Sequence, residues 1–434
     1  MEPKSMMPAR MLVFLFALIC FGAKAETNSA LIETNFKVKT ADGKGELNVV
    51  VNWPDLKNEK FPVVIVIPGT ENTSDAYFNP VAPDFGQDID GLMGLGRKLI
   101  ERGVVVVRYD SRGTIAGRRC MKGEKKLTLK AFAVQCQDQD LKRTIDFKTW
   151  RDDIVSVYEA VAKLNHIDLN RVAILSISEG TAHAANVVGN GRIKAKLFAS
   201  MGGVIESIRE TSTKQDTTPK LFALLQSKFT NEKKTIKLSE ILKIAEDNYY
   251  PKLSDYAQEF GPEPELGLDQ LIVKHEVYAK GRTEMIEILR TQPRAAFLST
   301  RTQPSVAGSS LIMNFPDAPP FNAEEFRAAR HTTIVRASVG YFQDIFFEKV
   351  GAVQALSDLQ NFSGDMLFYF GENDRLVDVP AAVALINDAQ KSNKGIFYRV
   401  FGDVGHDLVD SHTKRIPGEI LTTIADEIAS RLRP

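Results

Sequence analysis

The fold of this chain is decided by the stretch Val172-Ala-Ile-Leu-Ser-Ile-Ser-Glu-Gly-Thr181. Its apolar residues predict a buried strand, and the small residues at 182–188 predict a helix that follows a tight Ser-Glu-Gly turn. A strand that turns this sharply into a helix lifts one side chain out of the sheet, as in the G-x-S-x-G elbow motif. Here the lifted side chain is Ser178, and Ser176 occupies the position of the first glycine.

Strand and helix patterns alternate on both sides of this stretch. Strands are predicted at residues 61–67, 104–109, 172–177, 197–201, 366–370 and 395–401, and helices at 92–101, 150–164, 182–188 and 419–432. Residues 31–39 and 46–53 alternate apolar and polar side chains around a glycine-containing turn, which predicts an N-terminal hairpin. Strands that alternate with helices imply right-handed crossovers, so the sequence predicts an α/β fold with a mostly parallel sheet flanked by helices.

The pattern changes between about residues 206 and 342. Charged segments at 238–249 and 268–290 predict helices there, and prolines interrupt the stretches between them. Strand and helix patterns resume afterwards, which favours a helical cap inserted into one domain, with a separate second domain as the alternative. The predicted organisation is a core of residues 26–205 and 343–434, with residues 206–342 as a cap over the carboxyl edge of the sheet.

Residues 1–25 have the layout of a secretory signal peptide. Lys4 and Arg10 precede an apolar run at residues 11–22, and Ala23-Lys-Ala25 fits a cleavage site after Ala25. The apolar run is too short for a membrane span. We therefore expect an exported protein, periplasmic or secreted, without a stable membrane anchor.

The composition is that of an ordinary globular protein, with 434 residues of which 44% are hydrophobic and 25% charged. Removal of residues 1–25 takes three basic residues and one acidic residue from an equal balance of 55 and 55, which leaves a net charge of −2. A nearly neutral balance argues against nucleic acid as a partner. The residue spacings suggest no metal site, and we expect no cofactor.

Two cysteines remain after removal of the signal peptide, Cys120 and Cys136. In an exported protein, two cysteines this close in the chain predict one disulfide that closes the loop between them. If the signal peptide is misassigned and the protein stays in a reducing compartment, both are free thiols instead.

Two further strand ends carry residues that complete a catalytic set with Ser178. Gly371-Glu-Asn-Asp374 follows the strand at 366–370, and Gly402-Asp-Val-Gly-His406 follows the strand that ends at residue 401. The chain order serine, aspartate, histidine is the one expected of α/β hydrolases. The chemistry requires all three groups, because an imidazole must take the proton of the serine and a carboxylate must orient the imidazole.

Other residues compete for two of these roles. His412, six residues beyond His406, is the nearest rival histidine. Asp378 and Asp403 are rival acids, and Asp374 is preferred because it follows its strand directly.

The same chemistry needs a pair of backbone N–H groups directed at the developing oxyanion. Glu179 follows Ser178, and Thr70 follows the Pro68-Gly69 turn at the end of an earlier strand. The amides of Thr70 and Glu179 are therefore the predicted oxyanion donors.

Four motifs bear on the family of this chain, namely Pro68-Gly-Thr-Glu-Asn-Thr-Ser74, Arg108-Tyr-Asp-Ser-Arg-Gly113, Ser176-Ile-Ser-Glu-Gly180 and Gly371-Glu-Asn-Asp374. Together they resemble those of bacterial secreted α/β-hydrolase-fold serine esterases, which are related to dienelactone hydrolases and prolyl-oligopeptidase catalytic domains. The resemblance implies Ser178 as the nucleophile with Asp374 and His406 as its partners. It also implies Asp110 and Arg112 as a pair that braces a loop.

The chain departs from these relatives at the elbow. Ser176-Ile177 stands where Gly-His is usual, and Thr181 stands where a second glycine is common. A serine at the first elbow glycine adds bulk where helix and strand cross, so we expect a shifted turn. No catalytic group is lost.

These observations predict an exported enzyme that hydrolyses a carboxylic ester, on a small-molecule or short peptide-like substrate, through an acyl-serine intermediate. A peptidase or amidase is one alternative, because related catalytic domains cleave amides with the same residues. A non-catalytic binding protein on the same fold is the other. The complete triad counts against the binding protein, and the altered elbow keeps it open.

Overall fold

An eight-stranded sheet is the framework of this chain. The computed structural model describes residues 32–55, 60–69, 92–114, 120, 135–142, 144–217, 219–247, 265–291, 341, 344–345, 348–410, 412–413 and 415–434. The strands are β1 (Ile32–Lys39), β2 (Glu46–Trp53), β3 (Phe61–Ile67), β4 (Val105–Tyr109), β5 (Ile167–Ile177), β6 (Leu197–Met201), β7 (Thr235–Lys237), β8 (Glu265–Gly267), β9 (Asp365–Gly371) and β10 (Ile396–Phe401). The helices are α1 (Leu92–Glu101), α2 (Gln139–Lys142), α3 (Phe147–Val161), α4 (Gly180–Gly189), α5 (Ile208–Thr217), α6 (Pro219–Gln226), α7 (Leu238–Asp247), α8 (Leu268–Thr291), α9 (Ala355–Asp358), α10 (Val379–Ala389) and α11 (Gly418–Arg431).

The strand order in the large sheet is β1-β2-β4-β3-β5-β6-β9-β10. β2 pairs antiparallel with both of its neighbours, whereas every other neighbouring pair is parallel. This order, with an antiparallel second strand followed by parallel strands that alternate with helices, is that of the α/β-hydrolase fold. The prediction of a mostly parallel sheet flanked by helices is confirmed.

Helices cover both faces of the sheet, and each face has its own apolar core. On one face α3, α4 and α10 contribute side chains such as Val157, Ala184 and Ile386. On the other face α1 and α11 contribute side chains such as Leu95 and Ile424. Strands β3, β4 and β6 are mostly apolar, and they are buried along nearly their whole length because both of their faces are covered.

The helix predicted at residues 150–164 lies three residues earlier, at Phe147–Val161. Its start is set by Asp146, whose carboxylate accepts from Thr149 N at 2.6 Å while the Thr149 hydroxyl accepts from Asp146 N at 2.8 Å. This capping box satisfies N–H groups that the first helical turn leaves without intrahelical partners. The cap therefore decides the boundary, which apolar spacing alone places too late.

Between β6 and α9 the described part of the chain forms α5 to α8 and a separate two-stranded sheet of β7 and β8. The charged segments predicted to be helical form α7 and α8. Apolar side chains of these elements form a cluster that contains Leu221, Leu225, Ile236, Ile241, Leu266, Leu271 and Tyr278. Residues 218, 248–264, 292–340 and 342 of the predicted cap lie outside the described residues.

The cysteine pair and the N-terminus bear on the predicted export. The sulfur atoms of Cys120 and Cys136 lie at disulfide distance, with their Cα atoms 5.0 Å apart. The predicted signal peptide, residues 1–25, lies outside the described residues. Within the part of the chain that the structure describes, no helix combines the length and the apolar character needed to cross a membrane.

A buried arginine braces the loop that follows β4. Arg112 donates two hydrogen bonds to the Asp153 carboxylate on α3, both at 2.7 Å, and one to Asp42 in the β1–β2 turn at 2.8 Å. Its ion pairs therefore join three separate parts of the chain. Burial raises the pKa of the Asp153 carboxyl even beside the guanidinium, so this carboxylate depends on its partner to stay charged.

Replacement of Arg112 with methionine is expected to lower the free energy of unfolding by about 3–5 kcal/mol, because it leaves the buried Asp153 carboxylate without its partner. The double variant Arg112→Met/Asp153→Leu is expected to recover most of this loss, since both charges are removed together. Urea unfolding of the three proteins at neutral pH measures both differences. Equal destabilisation of the single and double variants would contradict this account of the pair.

Candidate active site

Ser178 lies at the turn between β5 and α4. Its φ angle is +51°, a left-handed conformation that residues other than glycine rarely adopt. Such a conformation costs about 1–3 kcal/mol and persists only where the surroundings hold it. Here Ser178 N donates to Met201 O at 3.0 Å, and Ser178 O accepts from Val204 N at 3.1 Å. Strand β6 and the residues after it thus stabilise the strained turn.

Two glycines allow this turn to lie against the end of β3. A Cβ on Gly180 would collide with the carbonyl oxygen of Pro68. A Cβ on Gly69 would lie 3.1 Å from both the Ile177 oxygen and the Ser178 Cβ. Helix α4 therefore begins in direct contact with the backbone that follows β3, and the glycine at the end of the elbow motif is required by packing.

The two departures from the usual elbow motif contact each other. Ser176 Oγ donates to Ala199 O at 3.0 Å and lies 3.1 Å from Thr181 Oγ1, which lies 2.8 Å from Ser200 Oγ. All three hydroxyl-bearing residues are fully buried. Buried hydroxyl groups cost free energy unless they are hydrogen-bonded. The bulk that Ser176 adds at the crossing of helix and strand is thus accommodated by a satisfied network.

Asp374 and His406 extend from the loops at the carboxyl ends of β9 and β10. A backbone bond from Asn373 N to Val404 O, at 2.9 Å, joins the two loops. They approach so closely that a Cβ on Gly371 would collide with the carbonyl oxygens of the residues before His406. The glycine that ends β9 therefore lets the two loops meet.

A chain of hydrogen bonds joins the three predicted catalytic residues. Asp374 Oδ1 accepts from the N–H groups of Leu376 and Val377, at 2.8 and 2.9 Å, while Oδ2 lies 2.9 Å from His406 Nδ1. His406 Nε2 lies 3.0 Å from Ser178 Oγ. Because a carboxylate only accepts hydrogen bonds, Nδ1–H donates to Asp374, and Nε2 of the neutral ring accepts from the Ser178 hydroxyl. This tautomer is the one that a general base for serine requires.

The rival residues Asp378, Asp403 and His412 are not part of this hydrogen-bond chain. Asp378 Oδ1 accepts from Ala381 N at the start of α10, and its Oδ2 accepts from Lys214 at 2.7 Å. Asp403 and His412 are exposed. Within the described ranges, no group of three or more His, Cys, Asp or Glu side chains is placed to hold a metal ion.

Of the two predicted oxyanion donors, the structure describes Glu179 and not Thr70. Glu179 lies directly after Ser178, at the N-terminus of α4. Backbone N–H groups at a helix N-terminus point outward along the axis and favour negative charge there. Thr70 lies outside the described residues, which end at Gly69 in this part of the chain.

Tyr341, which is not among the predicted site residues, contacts the elbow. The Tyr341 hydroxyl donates to Glu179 Oε1. Burial, together with the charge of Glu179, raises the pKa of Tyr341 well above its usual range, so the phenol stays protonated. The two residues are 162 positions apart, and no motif or periodicity in the sequence joins them.

Tyr341 belongs to a cluster of rings with α3 and α4. Trp150 stacks on His183 with centroids 4.4 Å apart, Phe147 meets His183 edge to face at 4.8 Å, and Tyr341 packs against Phe147 at 5.1 Å. His183 is fully buried, and neither of its ring nitrogens has a hydrogen-bond partner among the described residues. Burial lowers the pKa of His183 well below its ordinary value of 6.5, and the nearby positive charge of Arg151 lowers it further.

Comparison with known proteins finds similarity only among solved structures, since no protein-family model and no curated protein sequence matches. The chain is similar to 2,6-dihydroxy-pseudo-oxynicotine hydrolase, at 13% identity and a TM-score of 0.42, over 92% of this chain and 68% of that one. It is also similar to Est1E from Butyrivibrio proteoclasticus, at 12% identity and a TM-score of 0.41, over 91% and 99%. A third neighbour is the acylaminoacyl peptidase of Pyrococcus horikoshii, at 10% identity and a TM-score of 0.44, over 92% and 41%. At these identities the similarity concerns the fold alone.

The buried His183 is expected to make stability depend on pH. Because its pKa is lower in the folded protein than in the unfolded chain, the unfolded chain binds the proton more readily and acid favours unfolding. The penalty is absent above about pH 6.5 and grows as the pH falls below that value, by at most about 1.4 kcal/mol per pH unit. Urea unfolding of wild type and His183→Leu between about pH 7.5 and about pH 4.5 measures this slope as a difference, in which contributions common to both proteins cancel. Parallel profiles would contradict a neutral, buried His183.

Proposed function

We propose that this protein is an exported serine hydrolase that cleaves a carboxylic ester through an acyl-serine intermediate. The observation that carries the proposal is the hydrogen-bond chain from Ser178 Oγ through His406 to Asp374, with distances of 3.0 and 2.9 Å. Heavy-atom distances of about 2.6–3.2 Å allow proton transfer between a nucleophile and its base. In this proposal Ser178 is the nucleophile, His406 is the general base and acid, and Asp374 orients the imidazole.

The proposed reaction has two halves. In the first, His406 Nε2 takes the Ser178 proton as Oγ attacks the carbonyl carbon, and it then protonates the leaving alcohol as the ester C–O bond breaks. In the second, water attacks the acyl-serine while Nε2 takes a proton from the water, and Nε2 returns that proton to Oγ as the carboxylic acid leaves. These proposed steps require no metal ion or cofactor.

We call the hydrogen-bonded chain of Ser178, His406 and Asp374 the relay. Its surroundings suit the charges that develop in these steps. Asp374 is buried, so its attraction to the imidazolium is weakened little by water. Glu179 lies at the N-terminus of α4, where backbone N–H groups favour the negative charge of a tetrahedral intermediate. We propose the amides of Glu179 and Thr70 as the oxyanion donors.

We also propose that residues 206–342 form a cap beside this site. Its first helix, α5, contacts the loop that carries Asp374. Gln215 Nε2 donates to Leu376 O at 2.9 Å, and Lys214 Nζ donates to Asp378 at 2.7 Å. These bonds support a cap whose first helix lies next to the loop that carries Asp374, which we call the catalytic loop.

Ser178→Ala and His406→Ala are each expected to abolish labelling by a fluorophosphonate probe. Hydrolysis of p-nitrophenyl acetate is expected to fall at least about 10³-fold, because nucleophile and base act as one unit. The measurement uses the full chain purified with its cysteine pair oxidised, and unfolding midpoints establish that each variant is folded.

The matched control for His406→Ala is His412→Ala, which removes an exposed imidazole six residues further along. It is expected to keep labelling and hydrolysis at wild-type values. A folded wild type that neither labels nor hydrolyses the ester contradicts the proposed hydrolase. A comparison with 4-nitroacetanilide, corrected for intrinsic reactivity, distinguishes an esterase from an amidase.

Export is tested at the N-terminus. When the full chain is expressed in a bacterium, the exported protein is expected to begin at Glu26, since cleavage follows Ala25. It is expected to have no thiol that alkylates before reduction, because Cys120 and Cys136 lie at disulfide distance. N-terminal sequencing and mass spectrometry after alkylation provide the readouts. An uncleaved cytoplasmic protein with three reactive thiols, Cys20 included, contradicts export.

A further inference from the structure

Tyr341, in the last part of the proposed cap, contacts Glu179 of the elbow. The Tyr341 hydroxyl donates to Glu179 Oε1, and Tyr341 is only 6% exposed. Its ring packs against Phe147 and Trp150 of α3. Three residues further along the chain, the Asp344 carboxylate accepts from Phe147 N at 2.7 Å, which fastens this part of the chain to the start of α3. The phenol is therefore a donor with a fixed position, set by the packed rings around it.

The peptide between Ser178 and Glu179 decides where the Glu179 N–H points. On its carbonyl side, Ser178 O accepts from Val204 N and Thr181 N, both at 3.1 Å. In a trans peptide the N–H points opposite to the C=O, so these bonds direct the N–H away from both donors. On the other side of the same peptide, the bond from Tyr341 restrains the Glu179 side chain. The peptide is thus held from both ends.

The bond also bears on the charge of Glu179. An ionised carboxylate that turned toward a developing oxyanion would oppose it, because like charges repel strongly where water is excluded. A buried phenol that donates to the carboxylate keeps this charge directed toward Tyr341.

We infer that Tyr341 is a positioning residue, whose hydrogen bond to Glu179 Oε1 holds the Glu179 amide ready for the oxyanion and keeps the carboxylate away from it. The inference rests on the proposed function, because an oxyanion forms only if Ser178 attacks a carbonyl group. Tyr341 touches no reacting atom in this scheme and acts through Glu179.

The test is a double-mutant cycle of Tyr341→Phe and Glu179→Ala, measured with p-nitrophenyl acetate and with a trifluoromethyl ketone, which forms an oxyanion when serine adds to it. Loss of a whole oxyanion donor lowers kcat about 10²–10³-fold, so misalignment in Tyr341→Phe is expected to lower kcat about tenfold, with KM changed by less than about twofold. The affinity for the ketone is expected to fall by the same factor as kcat. Since Tyr341 acts through Glu179, adding Tyr341→Phe to Glu179→Ala is expected to change kcat by less than about twofold.

Tyr369→Phe is the matched control. The Tyr369 hydroxyl also donates a hydrogen bond to a glutamate, Glu427, at 2.9 Å. This pair lies on the sheet face covered by α1 and α11. Like Tyr341, Tyr369 is buried. Loss of the Tyr369 hydroxyl is expected to leave kcat and the affinity for the ketone at wild-type values, even where it lowers the unfolding midpoint.

The outcomes separate this inference from the function on which it rests. Suppose that the wild type is active and Tyr341→Phe leaves kcat unchanged, or lowers kcat equally in the wild type and in Glu179→Ala. Either result overturns the positioning role and leaves the proposed hydrolase standing. A folded wild type that neither hydrolyses the ester nor labels with fluorophosphonate overturns both. If Tyr341→Phe does not fold, Glu179→Ala decides alone: it removes the same hydrogen bond, and a wild-type kcat in that variant overturns the inference.

Discussion

The contact between the start of α4 and the end of β3 is the constraint on which the site depends. A Cβ on residue 180 would lie too close to the carbonyl oxygen of Pro68, so glycine alone lets the elbow helix begin this close to the strand. With the helix in that place, Ser178 bridges strand and helix in a left-handed conformation. The strain is opposed by two backbone bonds to β6 and the residues after it, and by the hydroxyl network beneath the turn.

Left-handed backbone, as at Ser178, also occurs close to His406. β10 lies three strands from β5, which is about 14 Å at the usual spacing of neighbouring strands, so the loop that carries His406 must extend back along the sheet edge to reach Ser178. Asp403 and Leu408, on either side of His406, have φ angles of +59° and +62°. Together with Ser178 they are the three non-glycine residues with positive φ among the described residues. Backbone strain is thus concentrated where the relay is assembled.

The sequence predicts those parts of the structure that follow from a period or from sheet topology. The central strands are predictable because short, mostly apolar runs without alternation mark strands covered on both faces. The meeting of Ser178, Asp374 and His406 is predictable because parallel strands place their carboxyl ends at one edge of the sheet. The β7–β8 ladder escapes prediction because three residues per strand give no periodicity. The bonds of Tyr341 to Glu179 and of Ser176 to Thr181 escape it for another reason, since neither pair follows from a repeat or from strand order. Ser176 and Thr181 each break a motif when considered singly, and only their positions in space show that one accommodates the other.

The contacts between α5 and the catalytic loop differ in kind from those that assemble the relay. Lys214 is 40% exposed where it bonds Asp378, and exposed ion pairs contribute about 0–1 kcal/mol each. Burial of a single aliphatic side chain in the sheet core contributes about 1.5–3 kcal/mol. The loops of Asp374 and His406 are therefore held chiefly by the strands that carry them and by their mutual backbone bond. A small change in the position of α5 would weaken polar contacts of modest energy and leave the backbone bond between the two loops intact, so the hydrogen-bond chain from Ser178 to Asp374 depends little on the exact position of α5.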